Sequence, residues 1–313
     1  MRIGVVQPLP GMGDMIWMMP AVRAIAENAP DGKITLFAPA STQAQALFQS
    51  EPWVERVVDL PRGKRGALSF FANMVSIRGM LRKAMPDRLF ILHDSKRYIR
   101  AARFAGVREF RSYTPAVSRL QATGWTRSLA FLDEIGVPVA NPLSRLSACR
   151  NASHAMLGRL AGLPRPWIAV APGATESARR WAPESFVAAV DRLLEHTAGT
   201  VFVIGAGHEA ETVSFIQSRS NEPDRVKALS GLPLDQAMAL MSLADCVFGN
   251  DSGPVNVAAA LDKPAYVLCG SSTPAMHSRN LHLILPPDGL STMEAVSVEQ
   301  VVEVVLAGLG ACS

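Results

Sequence analysis

Four short segments carry the residue types that phosphate and hydroxyl chemistry needs. Asn250-Asp251-Ser252-Gly253-Pro254 lies between an apolar run and an Ala-rich run. Ser252 or Gly253 can cap a helix there, and Pro254 suits its first turn. Backbone N–H groups at the positive end of a helix dipole bind a diphosphate well. The plainer reading is an ordinary capped helix start. Pro172-Gly173-Ala174-Thr175-Glu176-Ser177-Ala178-Arg179-Arg180-Trp181 ends a small-residue loop on two guanidinium groups. Guanidinium forks match phosphate oxygens, so this reads as a phosphate clamp. One of the two arginines can equally be a surface charge, and Trp181 a packing anchor. Gly205-Ala206-Gly207-His208-Glu209 is half of a dinucleotide fingerprint, without its third glycine. Glu209 can accept from ribose hydroxyls or simply complement a helix dipole. Gly11-Met12-Gly13-Asp14 opens an apolar stretch. Asp14 can serve as an N-cap; facing a bound donor, it would instead deprotonate an acceptor hydroxyl as a general base. No P-loop, G-x-S-x-G elbow or H-E-x-x-H motif competes with these segments.

All four follow apolar runs that read as strands, and the rest of the chain repeats that rhythm. The first series is strand Arg2–Gln7, helix Asp14–Ala29, strand Lys33–Ala38, helix Ser41–Ser50 and strand Arg56–Asp59. It continues with helix Gly66–Ala84, strand Arg88–His93, helix Lys96–Ala105 and a helical pattern over Ser118–Ile135. Gly136–Pro166 is proline-rich, contains a helix Ala152–Leu160, and reads as the linker. The second series has strands Trp167–Ala171, Thr200–Gly205, Cys246–Gly249 and Ala265–Cys269. Its helices are Pro183–His196, His208–Ser218, Leu234–Ser242, Pro254–Leu261 and Val298–Leu306. Strands alternating with helices predict an α/β protein of two doubly wound parallel-sheet domains, residues 1–150 and 151–313. Ligands in such sheets bind beyond the carboxyl ends of the strands, which is where the four segments fall.

Composition narrows the partners. The chain has 313 residues, 49% hydrophobic and 19% charged, a globular balance. No apolar run approaches the roughly 18 residues of a membrane span. No secretory leader pattern follows Met1, so the expected location is the cytoplasm, or the cytosolic face of a membrane as a peripheral protein. The four cysteines form no C-x-x-C pair, and reduced core thiols are expected. Residues 1–150 hold 21 Lys and Arg against 11 Asp and Glu, while residues 151–313 hold 10 against 16. The basic half attracts an anionic partner: a phosphorylated lipid, an acidic sugar or nucleic acid. Aromatic residues make up only 6% and do not interleave with the basic ones, which argues against nucleic acid.

Together these segments resemble one family, the lipopolysaccharide heptosyltransferases of glycosyltransferase family 9. The similar stretches are G-M-G-D-M-I-W-M-M-P-A-V-R-A-I, H-D-S-K-R-Y-I-R-A-A-R-F-A-G, P-G-A-T-E-S-A-R-R-W-A-P-E-S-F and N-D-S-G-P-V-N-V-A-A-A-L-D-K-P, in that order along nearly the whole chain. The resemblance implies a GT-B fold, in which two Rossmann-like domains face a central cleft. It places the acceptor on the N-terminal domain and a nucleotide sugar on the C-terminal one, with helix 298–306 packing back toward the N-terminal domain. The implied reaction is inverting and metal-independent, with no cofactor: a heptose passes from ADP-heptose to a lipopolysaccharide core or related anionic glycan at the membrane surface. Asp14 matches the catalytic base. Thr175 and Arg179 match donor-phosphate positions, Glu209 a ribose contact, and Leu232 an apolar cover for adenine. Asp251 would hold donor-sugar hydroxyls, Ser252 and Gly253 would meet the diphosphate, and Pro254 would pack beside it. Asn256 stands among the donor residues where the family usually has His, and Gln7 replaces a common Lys. Arg62, Lys64 and Arg65, with His93 and Arg97, would meet acidic groups of the acceptor. Two alternatives stay open: a diverged nucleotide-sugar-binding paralogue, and a family 9 transferase with a different sugar or acceptor.

Overall fold

The computed structural model describes residues 1–61, 67–272 and 274–311, so Arg62, Lys64 and Arg65 lie outside the described residues. The chain divides into two units, Met1–Ser144 and Arg145–Ser313.

The first unit is built on five parallel strands: β1 (Ile3–Val6), β2 (Ile34–Pro39), β3 (Val54–Leu60), β4 (Arg88–Ile91) and β5 (Glu109–Ser112), in the order β3-β2-β1-β4-β5. Its helices are α1 (Met12–Glu27), α2 (Ala44–Leu47), α3 (Ala67–Ala84), α4 (Lys96–Ala105), α5 (Pro115–Arg119) and α6 (Gly124–Glu134). The second unit starts with α7 (Arg150–Leu160). Its six parallel strands are β6 (Trp167–Ala171), β7 (Thr200–Gly205), β8 (Val226–Ser230), β9 (Cys246–Asn250), β10 (Ala265–Leu268) and β11 (Leu281–Ile284), ordered β11-β10-β9-β6-β7-β8. Helices α8 (Pro183–His196), α9 (Ala210–Arg219), α10 (Leu234–Leu243), α11 (Gly253–Ala260) and α12 (Val298–Ala311) cover it, α12 packing on α8.

Parallel sheets need cover on both faces, so their inner strands are apolar throughout. Every residue of β1, β2, β6 and β9 is buried. The three strands without an expected counterpart, β5, β8 and β11, are all sheet edges. Their sequences, EFRS, VKALS and LHLI, mix charge or imidazole with apolar residues because an edge is half open to water. The helix expected over Ser41–Ser50 is instead a 3₁₀ turn, Ala40–Thr42, followed by the short α2. Gln43 between them takes a left-handed φ of 53°, which interrupts the helical hydrogen bonding. The pattern over Ser118–Ile135 is likewise two helices, α5 and α6, separated at the extended Leu120. Thr114 and Thr123 each cap a start by accepting from Val117 N–H and Thr126 N–H.

In each sheet the chain moves outward from a central strand in one direction and then the other. The reversal falls between β1 and β4 in the first unit and between β6 and β9 in the second. The loops beyond the carboxyl ends of those pairs diverge, leaving a crevice in each sheet. Among the described residues no helix is long and apolar enough to cross a membrane.

Candidate functional site

In the second unit, the loops after β6 and β9 meet. Asn250, fully buried at the end of β9, donates from Nδ2 to the Pro172 carbonyl at 2.6 Å and accepts from the Trp181 N–H at 3.0 Å. One amide thus ties both ends of the Pro172–Trp181 loop to the start of the Asp251–Pro254 turn. Trp181 completes the anchor: it is buried, its Nε1–H donates to the Val296 carbonyl at 2.9 Å, and its ring meets Phe186 edge-on. Between these ties, Arg179 reaches Asp251 at 3.6 Å and Glu176 at 2.7 Å. Asp251 is only 3% exposed, so its charge sits in a low-dielectric setting where a guanidinium neighbour counts. The other arginine, Arg180, braces the loop by donating to the Ala174 carbonyl at 2.8 Å. Thr175 is exposed on that loop.

The loops after β7 and β8 close the same edge. Glu209 accepts from the Ala206 N–H at 2.7 Å and remains partly exposed. Gly173 lies so close to the Glu209 carboxylate that a side chain there would require that carboxylate to move aside. Gly231 takes a left-handed φ of 71°, and its N–H donates to the Gly205 carbonyl at 2.8 Å. Leu232 follows it in that loop and is half-buried.

Helix α11 begins directly after β9 with Ser252 as N-cap and Pro254 in its first turn. The Ser252 hydroxyl caps nothing: it is buried and has no hydrogen-bond partner among the described residues. Asn256 is 2% exposed and its side chain is engaged inward, with Nδ2 donating to the Ser252 carbonyl and Oδ1 facing His277.

In the first unit, α1 starts earlier than expected. Gly11 is its N-cap and Asp14 is the third helical residue. The Gly11 N–H donates to Asp14 Oδ2 at 3.2 Å, the reciprocal half of a capping box, so Asp14 is not itself the cap. Gln7 at the end of β1 is fully buried, and neither side-chain polar atom has a partner among the described residues. Beyond β1, β4 and β5 lies a cavity of about 70 Å³, lined in part by His93, Asp94, Tyr113, Ser118, Gly124 and Arg127. Burial holds the His93 imidazole below its usual range, outweighing the nearby Asp94. Its Nδ1 accepts from the Ser95 N–H at 3.0 Å, as a neutral ring does, so the 3.0 Å approach of Asp94 to that nitrogen is not an ion pair at neutral pH. Arg127 Nε and Ser118 Oγ are buried without a hydrogen-bond partner among the described residues. Arg97 sits on the first turn of α4, over the Tyr98 ring and donating to its hydroxyl, and does not line the cavity.

Of the expected residues, the structure gathers Thr175, Arg179, Glu209, Leu232, Asp251, Ser252, Gly253 and Pro254 at one sheet edge. Asn250 was read only as the first residue of its motif, not as the tie between two loops. Ser118, Tyr113, Arg127 and His277 went unread. None has a motif spacing, and each stands out only through its partners, or lack of them, in the fold. Among the described residues, Cys149, Cys246 and Cys269 form no disulfide, and no cluster of three or more His, Cys, Asp and Glu could hold a metal ion.

Comparison with known proteins places the fold and the family. The pattern of Glycosyltransferase family 9 (heptosyltransferase) matches residues 88–279. Lipopolysaccharide heptosyltransferase 2 of Escherichia coli (strain K12) is 26% identical over 299 residues, 88% of this chain and 84% of that protein. The solved structure of E. coli ADP-heptose lps heptosyltransferase II superimposes with a TM-score of 0.81 at 21% identity, covering 99% of both chains. E. coli heptosyltransferase WaaC with ADP-2-deoxy-2-fluoro heptose gives 0.74 at 16% identity, over 98% of this chain and 99% of that one. The fold is therefore GT-B, and the chain belongs to glycosyltransferase family 9, the heptosyltransferase family.

Proposed function

We propose that this glycosyltransferase moves a heptose-type sugar from ADP-heptose, with inversion and without a metal ion, to an anionic glycolipid acceptor of the lipopolysaccharide-core type at the cytosolic face of a membrane. The observation that carries this reading is the approach of Arg179 to Asp251 beside an uncapped helix start. It puts a guanidinium, a buried carboxylate, a spare hydroxyl and helix N–H groups together at one sheet edge. A diphosphate takes the first, third and fourth of these, and a sugar hydroxyl takes the second.

In this reading Arg179, Thr175, Ser252 and Gly253 hold the diphosphate, with Pro254 packing beside it. Asp251 orients the sugar, Glu209 accepts from ribose hydroxyls, and Leu232 covers the adenine. Asn256 serves from behind, through the Ser252 carbonyl. Residues 151–313 thus form the donor domain and residues 1–150 the acceptor domain. The reaction is a single displacement. The acceptor oxygen attacks the anomeric carbon as its proton passes to Asp14, and the bond to the diphosphate breaks with its electron pair leaving on ADP. Arg179 and the α11 start stabilise that growing charge. Arg127, with Arg62, Lys64, Arg65 and Arg97, supplies the positive field for the acceptor, and His93 meets it as a neutral hydrogen-bonding group.

A thermal-shift panel tests the donor. ADP is expected to stabilise the protein while UDP, GDP and dTDP do not, since only a ligand of the folded state raises the midpoint. Stabilisation by another nucleotide, or by none, overturns the assignment. Asn256 favours a second reading, a family 9 transferase with another sugar or acceptor. Turnover of ADP-heptose against a panel of core-type lipids distinguishes the two, because the second reading predicts ADP binding without transfer.

A further inference from the structure

The turn that begins α11 is held by a buried relay. The Ser252 carbonyl accepts from Asn256 twice, from its backbone N–H at 3.4 Å and from Nδ2 at 2.8 Å. Because Asn256 Nδ2 is the donor in that bond, its Oδ1 is left as the acceptor, and it lies 2.8 Å from Nε2 of His277. The proton of this imidazole therefore resides on Nε2. His277 is wholly buried, and its Nδ1 has no partner among the described residues. The next residue repeats the attachment at the other end of the helix, Ser278 Oγ donating to the Ala259 carbonyl at 2.9 Å. The segment after β10 thus grips α11 at both its first and last turns.

A Ser at an N-cap normally turns its hydroxyl onto the N–H of the second or third helical residue. Here the second is Pro254, which has no N–H, and the Ser252 hydroxyl is buried and unpartnered. A buried hydroxyl without a partner carries a desolvation penalty, so something must keep the turn in this shape. The relay does so from the carbonyl side, leaving the hydroxyl and the neighbouring Gly253 N–H uncommitted.

We infer that His277 is a positioning residue for nucleotide binding: acting through Asn256, it fixes the Ser252–Gly253 turn in the orientation that receives a diphosphate. The inference rests on the reading of that turn as the donor-phosphate site. Position 256 thereby keeps a link to an imidazole, but one that arrives from a different segment and stays neutral as a structural donor.

Isothermal titration with ADP, on the full chain, tests it. Loss of one such hydrogen bond corresponds to about a 10-fold loss of affinity. His277→Ala and Asn256→Ala are each expected to weaken ADP by about that factor, and the double variant by no more than either alone, because the two residues act in series. His277→Gln keeps an N–H donor and is expected to restore affinity, which a general loss of packing would not allow. Should His277→Ala fail to fold, Asn256→Asp, which retains shape but loses the donor to Ser252, must show the same weakening. Wild-type affinity in His277→Ala or Asn256→Asp, or fully additive losses in the double variant, overturns the relay alone. If the wild-type protein itself binds no nucleoside diphosphate, the donor-site reading fails and the relay falls with it.

Discussion

Asp14 is held to the α1 start through the Gly11 N–H, which fixes its carboxylate at the carboxyl end of β1. Asp14→Asn keeps the size of the side chain and removes its basicity. Turnover is expected to fall by about 10²–10⁴-fold, the usual worth of a general base, with ADP affinity unchanged. Near-full turnover in steady-state assays of that variant would remove Asp14 from the base role. His277 supplies a second residue-scale expectation. Burial pushes its pKa down from 6.5 to about 4, so the folded chain resists a proton that the unfolded chain takes up. Stability is therefore complete above pH 6.5 and declines as pH falls from there toward 4, by about 3 kcal/mol at the limit. Urea unfolding followed across that range should show the decline, and His277→Gln should flatten it. Equal pH slopes for the two proteins would contradict the burial argument.

At the scale of elements, close backbone approach decides which residues the site loops can carry. Gly249 on β9 faces Ala171 on β6, and a side chain there would press into the Ala171 carbonyl. Gly249→Ala is expected to cost about 1–3 kcal/mol, the range for overpacking a filled interior, measured by chemical denaturation. Gly79 on α3 has open space around it, so Gly79→Ala should instead stabilise by up to about 1 kcal/mol through helix propensity. Opposite signs for the same substitution are the diagnostic; a matching gain at both sites would show that propensity, not contact, governs β9. The inner strands and most helices were legible in the sequence, with Lys96–Ala105, Trp167–Ala171, Pro183–His196 and Thr200–Gly205 expected at their observed limits. These segments pair strong apolar periodicity with clear start and stop residues. Three of the four edge strands, β5, β8 and β11, were not legible, because half-exposed strands have weak patterns; the fourth, β3, was expected over Arg56–Asp59. The break between α5 and α6 was missed because Thr114 and Thr123 act as caps only where the chain turns.

For the whole molecule, charge asymmetry is the relevant quantity. Residues 1–150 carry an excess of ten positive charges, while residues 151–313 carry an excess of six negative ones. Salt screens such long-range attraction within about 10 Å at ~0.1 M, and local hydrogen-bonded contacts much less. If the acceptor is the anionic glycolipid proposed above, raised ionic strength should increase its KM more than that for the nucleotide sugar. Steady-state kinetics at several salt concentrations would show it, and parallel changes in both constants would contradict an electrostatic acceptor site.

Sequence alone determined the alternation of strands and helices, the opposite charges of the two halves and the loops that bear Asp14, Arg179 and Asp251. Each of these is local: it follows from periodicity, composition or spacing within a few dozen residues. Only the tertiary structure decided which groups meet. Arg179 finds Asp251 across 72 positions, Asn250 fastens a loop that begins 78 residues earlier, and His277 reaches back 21 residues to the α11 start. Parallel strands bring distant loops to one edge, and an unpartnered Ser252 hydroxyl or Arg127 nitrogen becomes visible only once every neighbour has its place.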